Sequence, residues 1–442
     1  MKRINIENFG AIKNVSIDLD KNMQVFIGAQ ASGKSTICKV IYFCRKVRDY
    51  LLDFLMDSDQ FYHNHPNEYY SNFLKFLTRQ FMGCFGTTKH MDKFLIKYEF
   101  DNNYIQIKLN DDGYVRFSFN HLLKESITKA IDEMTNLLTE RNNLLYGDEL
   151  FSVFDKFNTI NLLKVQIKKL VYDIFNDRMD IIYIPAGRSL LASMSEQLHG
   201  FSITDMDLTM QEFINLISST KSKFGNKIPE MVVNYTKTVK GQINNSAINS
   251  AYQLVRQILK ADYISENDGE KIYYDKNHWV KLMYGSSGQQ EALWILMIAF
   301  AVILENKKSF IVIEEPEAHL FPLAQKEIVN LISLLVNTTD SQIIITTHSP
   351  YILTSLNLLL YSGKIENSKK IQGEPTIIQK SFRLSKDKFS SYMIENSNNK
   401  FIIKSLIDKA SGLIDTNYID QVSEITNDDL EKLIDMENKY DL

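Results

Sequence analysis

Residues 28–35 of this 442-residue chain read Gly-Ala-Gln-Ala-Ser-Gly-Lys-Ser, with Gly28, Gly33, Lys34 and Ser35 in the spacing GxxxxGK[ST]. Glycines let backbone N–H groups close around a chain of phosphates, and a helix starting there aims its dipole at the anion. A lysine in the seventh place neutralises the β- and γ-phosphates, and a hydroxyl in the eighth is a ligand for Mg2+. Phosphate contacts are therefore expected from Gly28, Ser32, Gly33, Lys34, Ser35 and Thr36. A second cluster, Glu314-Glu315-Pro316-Glu317, follows the apolar run Phe310-Ile-Val-Ile. Two adjacent carboxylates at the end of a buried strand suit a nucleotide site: Glu314 can hold a metal through water, and Glu315 can orient and deprotonate an attacking water.

Three weaker signals accompany these. Gly285-Ser286-Ser287-Gly288-Gln289-Gln290 opens an apolar helix, where exposed amides make an anion cradle and Ser286 or Ser287 equally makes an ordinary cap. Thr346-Thr347-His348-Ser349-Pro350 places a histidine where it could reach a γ-phosphate, although a lone histidine is more often structural. Arg188, just after Asp180-Ile-Ile-Tyr-Ile-Pro185, reads as a phosphate or switch contact or as a surface ion pair.

The elements that must position these residues follow from periodicity. Ile4, Ile6, Val15, Ile17, Leu19, Val25 and Ile27 alternate as strand residues do, and Ile37, Val40, Ile41 and Val47 keep helical spacing, so Gly28–Ser35 lies between strand and helix. The segment 94–120 holds three alternating runs separated by Asp101-Asn102-Asn103 and Asp111-Asp112-Gly113, a predicted antiparallel meander. Residues 121–178 and 204–262 read as helices, 271–284 as a hairpin, and 289–305 as a helix. Strands at 310–313 and 342–346 follow, with a helix from Pro322 between them, and the tail 400–442 reads as helical and acidic. The predicted organisation is an α/β core from 1–44 and 181–442, with an antiparallel lobe and helical arm inserted at 45–180.

Composition narrows the class. With 44% hydrophobic and 24% charged residues and only 7 Pro and 17 Gly, the chain is globular rather than collagenous or low in complexity. Cys38, Cys44 and Cys84 leave an odd count without CxxC spacing, which argues against a disulfide scaffold or a structural zinc site. Fifty basic against 54 acidic residues give no global field for nucleic acid, although a local patch stays open. No signal-peptide pattern opens the chain. The longest apolar run, Ala292 to Leu304, is too short for a membrane span and reads as a buried core helix, so a cytoplasmic protein is expected.

In this order the motifs resemble the ABC-type ATPase heads of the SMC and RecF class, and most of all the OLD-like branch of bacterial anti-phage defence. INIENFGAIKNVSIDL, SSGQQE, EEPEAHLFP and THSPYIL carry the resemblance, over about 1–44, 181–200 and 271–360. It implies an α/β P-loop head that binds ATP and Mg2+, with Lys34 and Ser35 as the Walker A pair. Glu314 then takes the metal-side place, Glu315 that of the catalytic glutamate and His348 that of the switch histidine. Ser286, Gly288 and Gln289 match the signature loop, which in such heads meets the nucleotide of a partner. Ala318 to Phe321 match the D-loop, so a head-to-tail dimer is implied. Glu314 departs from the usual Asp, and Ser287 from a commoner glycine.

The branch often carries a nuclease that needs Asp-x-Asp, which residues 350–442 lack. The resemblance thus implies an ATPase subunit of a PtuA- or AriA-like kind that controls a separate effector, such as a nuclease. A DNA-binding repair ATPase of the RecF or SMC type is the alternative. His63-Asn64-His65 spells HNH but sits in a Pro-flanked loop, unlike a ββα-metal nuclease. Five lysines between Lys221 and Lys240 could track a phosphate backbone or form a solvated helical face.

Overall fold

The computed structural model describes residues 2–57, 68–146, 153–194, 206–238, 244–366, 377–397, 400–415 and 427–433. Strands β1 (Lys2–Phe9), β2 (Ile12–Asp18) and β3 (Met23–Ile27) lead into α1 (Lys34–Met56), and α2 (Tyr69–Phe85) precedes β4 (Leu95–Phe100), β5 (Asn103–Leu109) and β6 (Val115–Phe119). Helices α3 (His121–Tyr146) and α4 (Val153–Phe175) form the arm, followed by β7 (Asp180–Ile184) and α5 (Ser189–Met194). Then come α6 (Leu208–Lys221), α7 (Ile228–Thr238) and α8 (Asn245–Leu259), and the strands β8 (Asp262–Glu266), β9 (Gly269–Tyr273) and β10 (Trp279–Lys281). The remainder alternates: α9 (Ser287–Glu305), β11 (Ser309–Glu314), α10 (Pro322–Thr339), β12 (Gln342–Thr347) and α11 (Pro350–Glu366), then β13 (Phe389–Ser397) and β14 (Lys400–Ser405).

Six strands in the order β14-β13-β3-β12-β11-β7 make the central sheet, all neighbours parallel except the β13–β14 hairpin at one edge. Its inner strands are nearly unbroken aliphatic runs because helices or a second sheet cover both faces. Side chains two apart share a face. Val25, Ile27, Ile311, Ile313, Ile343 and Ile345 enter one core with α6 and α8–α11, while Phe26, Phe310, Val312 and Ile344 enter another with α1 and the antiparallel strands. Helix α9 passes through the first core with Gln290 to Leu304 all buried. Among the described residues it is the one helix long and apolar enough to cross a membrane, and most of it lies inside the fold.

The meander expected at 94–120 is present, and it shares a five-stranded antiparallel sheet with the N-terminal hairpin, in the order β2-β1-β4-β5-β6. Helix α1 lies between the two sheets and runs unbroken past residue 44. Phe43 meets Phe117 of β6 at 6.0 Å between ring centroids, and the Arg45 guanidinium lies 4.0 Å over the Phe310 ring. Arg45 also pairs with Asp177 at 2.5 Å, and Arg48 donates to the Asp177 carbonyl at 3.0 Å. That clasp ties α1 to the junction of the arm and β7.

The tail is a correction. Residues 400–405 are strand, not helix, because Lys400–Ser405 pairs antiparallel with residues 392–397 of β13, Ile403 opposite Ile394, and extends the main sheet. Helix occurs later, at 427–433. His63-Asn64-His65, Lys240 and residues 147–152 lie outside the described residues.

Candidate functional site

Strands β3, β11 and β12 run parallel and end together, and each delivers one of the sequence motifs. Gly28 follows β3 at a place closed to any side chain: a Cβ there would stand 2.0 Å from the Ile394 carbonyl oxygen of β13. The loop then turns through Ala31 (φ 60°) to Gly33, which precedes α1. Ser35 is exposed and Thr36 half-buried on the first turn, and Ser32 is buried. Lys34 folds back over its own loop, its Nζ donating to the Gly28 and Ala29 carbonyls at 2.9 Å each and to Ser32 Oγ at 3.4 Å. Burial pulls this ammonium below the usual lysine range, against the opposing pull of the Glu315, Glu317 and Glu314 carboxylates.

At the end of β11, Glu314 is buried and accepts the Tyr183 hydroxyl at 2.9 Å and the Ala186 N–H at 3.1 Å. Glu315 takes a left-handed backbone (φ 42°), held by its N–H donating to the Thr346 carbonyl at 3.0 Å. Its carboxylate is partly exposed and lies 3.1 Å from His348 Nε2, at the end of β12. The acid and the histidine, apart by 33 places in sequence, therefore form one pair open to solvent. Glu317 secures the histidine: its Oε1 accepts from the Thr347 hydroxyl at 2.7 Å and the His348 N–H at 2.8 Å.

Arg188 is neither a phosphate contact nor a surface ion pair. It is fully buried, and its guanidinium donates to the carbonyls of Pro185, Glu291, Glu314 and Glu315 at 2.7–3.0 Å. Glu291 neutralises it at 3.3 Å and also caps the Arg188 and Ser189 N–H groups. The arginine is a strut locking the ends of β7, β11 and α9 together.

The other loop is differently placed. Ser286 caps α9: its Oγ accepts from the Gln289 N–H at 3.3 Å, while Gln289 Oε1 accepts from the Ser286 N–H at 3.0 Å. Gln289 Nε2 donates to the Leu259 carbonyl at 2.9 Å. Gly288 packs against the segment after Glu317, since a Cβ would meet the His319 carbonyl at 2.8 Å. No hydrogen bond among the described residues joins 285–289 to 28–36. Instead the loop lines an open groove of about 910 Å3 with Leu320, Phe321, Leu323 and Tyr274. Phe321 is 76% exposed and Leu323 58%. The structure thus makes Ser286 the cap of α9.

Tyr183, Ala186 and Glu317 were not singled out by the sequence. A tyrosine in an otherwise aliphatic strand and the third acid of Glu-Glu-Pro-Glu were the available signals. The lysines near 221 are mostly engaged: Lys221 pairs with Glu270 at 3.1 Å, Lys223 with Glu305, and Lys227 lies over the Tyr273 ring. Among the described residues no group of three His, Cys, Asp or Glu side chains could hold a metal. A Mg2+ that takes one hydroxyl, water and phosphate oxygens needs no such cluster. Exposed Ser35 and the spare lone pairs of Glu314 fit it.

A parallel sheet with a phosphate loop after one strand and paired acids after another defines an α/β nucleotide-binding protein of the P-loop class. The chain belongs to the AAA ATPase domain family, whose model matches residues 1–353. No curated protein matches it. Similar solved structures include an SmcHead bound to the C-winged helix domain of ScpA (12% identity, 91% of this chain and 96% of that one, TM-score 0.41). Two others are the SMC head domain from Thermotoga maritima (11%, 91% and 97%, 0.36) and a Pyrococcus furiosus Smc head domain with an extended coiled coil bound to the C-terminal domain of ScpA (12%, 96% and 100%, 0.37).

Proposed function

We propose that this ATPase-family chain hydrolyses ATP in sites shared by two copies, each supplying the Ser286–Gln289 loop to the phosphate loop of the other. The observation that carries this reading is the placement of that loop in an exposed, apolar-rimmed groove, unbonded to its own phosphate loop. Lys34 would exchange its loop carbonyls for phosphate oxygens. Glu315 would take the proton of the attacking water, with His348 beside it to reach the γ-phosphate. Ser35 directly and Glu314 through water would hold Mg2+, which when bound neutralises phosphate charge. The first turn of α9, with Gly288 between the capped Ser286 and Gln289, would close on the partner's phosphates.

The role we assign is that of an ATPase subunit of a bacterial anti-phage system, of the OLD-like, PtuA- or AriA-like kind, controlling a separate effector such as a nuclease. The motif order in sequence supports it. Sedimentation of the Glu315→Gln chain with ATP and Mg2+ tests the shared site: an ATP-dependent dimer is expected, and a monomer at all nucleotide concentrations overturns it. Purifying the same variant from its native host tests the role. A stoichiometric nuclease-sized protein is expected, whereas DNA alone selects the RecF- or SMC-like alternative.

A further inference from the structure

Glu314 stands where the resemblance leads one to expect the shorter Asp, and its surroundings differ to match. Its carboxylate is buried, and both oxygens are held from β7 and the turn after it: Oε1 by the Tyr183 hydroxyl at 2.9 Å and Oε2 by the Ala186 N–H at 3.1 Å. Tyr183 is itself buried and cannot swing, because its ring packs against Tyr42 at 5.1 Å and 59°. The Tyr42 hydroxyl in turn donates to Glu212 on α6. A glutamate has one more rotatable bond than an aspartate, and fixing a side chain costs conformational entropy each time the site is assembled. A hydroxyl that holds the carboxylate beforehand removes that cost from metal binding.

We infer that Tyr183 is a positioning residue for the metal-side carboxylate: with the Ala186 N–H it sets the direction of the Glu314 oxygens toward Mg2+. The inference rests on the reading of Glu314 given above. In this role Tyr183 acts through Glu314 alone. The Tyr42–Glu212 contact behind it keeps the ring in place and connects α6 to the carboxylate.

The test reads the Mg2+ concentration needed for tight binding of a fluorescent ATP analogue, which does not depend on turnover. Tyr183→Phe keeps the ring and removes only the hydroxyl. It should raise the half-saturating Mg2+ about tenfold, the loss of one hydrogen bond to a charged group, and leave binding without Mg2+ unchanged. Glu314→Asp, which retracts the carboxylate from Tyr183, should raise it similarly. In the double variant the two losses should not add, because they remove the same contact. Additive losses, or an unchanged Mg2+ requirement in Tyr183→Phe while Glu314→Gln raises it, overturn the inference. Should Tyr183→Phe fail to fold, Glu314→Asp decides: no rise in the Mg2+ requirement overturns the inference. If Glu314→Gln itself leaves the requirement unchanged, the reading of Glu314 fails first.

Discussion

The two halves of the candidate site are built in opposite ways. Around the phosphate loop the three buried charges Lys34, Glu314 and Arg188 have protein partners: Lys34 has its own carbonyls, Glu314 has Tyr183 and Ala186, and Arg188 has four carbonyls and Glu291. Around Ser286–Gln289 the loop closes its own cap and reaches outside it through Gln289 to the Leu259 carbonyl, and the neighbouring Phe321, Leu323 and Tyr284 are left largely in water. Buried polar groups must be paired within the chain or they destabilise it. Exposed aromatic surface carries no such penalty until a partner covers it, and patches of this kind mark interaction sites. One half is complete within the fold, and the proposed function leaves the other to a second copy.

The strongest way to break this comparison is to disable the finished half. Glu315→Gln should lower ATP turnover about 10²- to 10³-fold, measured by steady-state phosphate release, while nucleotide binding persists. Complementation sharpens it. Lys34→Ala and Ser286→Arg should each be inactive alone, yet an equal mixture should recover roughly a quarter of wild-type activity, since a mixed dimer keeps one intact shared site. A mixture as dead as its parts would mean that each chain works with its own loop.

The finished half also depends on the clasp beneath it. Burial alone would raise the Asp177 carboxyl, but Arg45 and Lys2 bring it down to about 2. A depressed folded value means that the pair stabilises the fold above the ordinary carboxylate range, by about 2 kcal/mol. That contribution is lost as pH falls from about 4 to about 2. Asp177→Asn should cost about 3 kcal/mol by leaving the buried Arg45 without its carboxylate, and should flatten the acid limb of a thermal-melt series. The smallest effect concerns the thiols. Burial pushes Cys84 up to about 12 and raises Cys38 and Cys44 as well. None should react with an aromatic disulfide at pH 8 until denaturant is added, and all three should react then.

What could be read in the sequence divides along physical lines. The phosphate loop, the Glu314–Glu315 pair and the buried α9 were legible because local residue types and spacing dictate them. Arg188 was not, since its partners are backbone carbonyls on β7, β11 and α9, which no side-chain pattern announces. Strand β13 was missed because Ser390-Ser391-Tyr392 carries little aliphatic signal, and its place beside β3 follows from pairing rather than propensity. The Glu315–His348 contact needed the register of β11 against β12, in which Glu314 stands opposite Thr346.

The approach of Gly28 to the Ile394 carbonyl has a consequence for how the protein comes into being. A ribosome releases β3 early and β13 more than three hundred residues later. Until then β3 has an open edge, and the phosphate loop lacks one wall. The nascent chain is therefore expected to acquire its grip on nucleotide late in synthesis, when a long-range parallel pairing of the slow kind finally forms. If copies pair around ATP as proposed, pairing should likewise wait for β13.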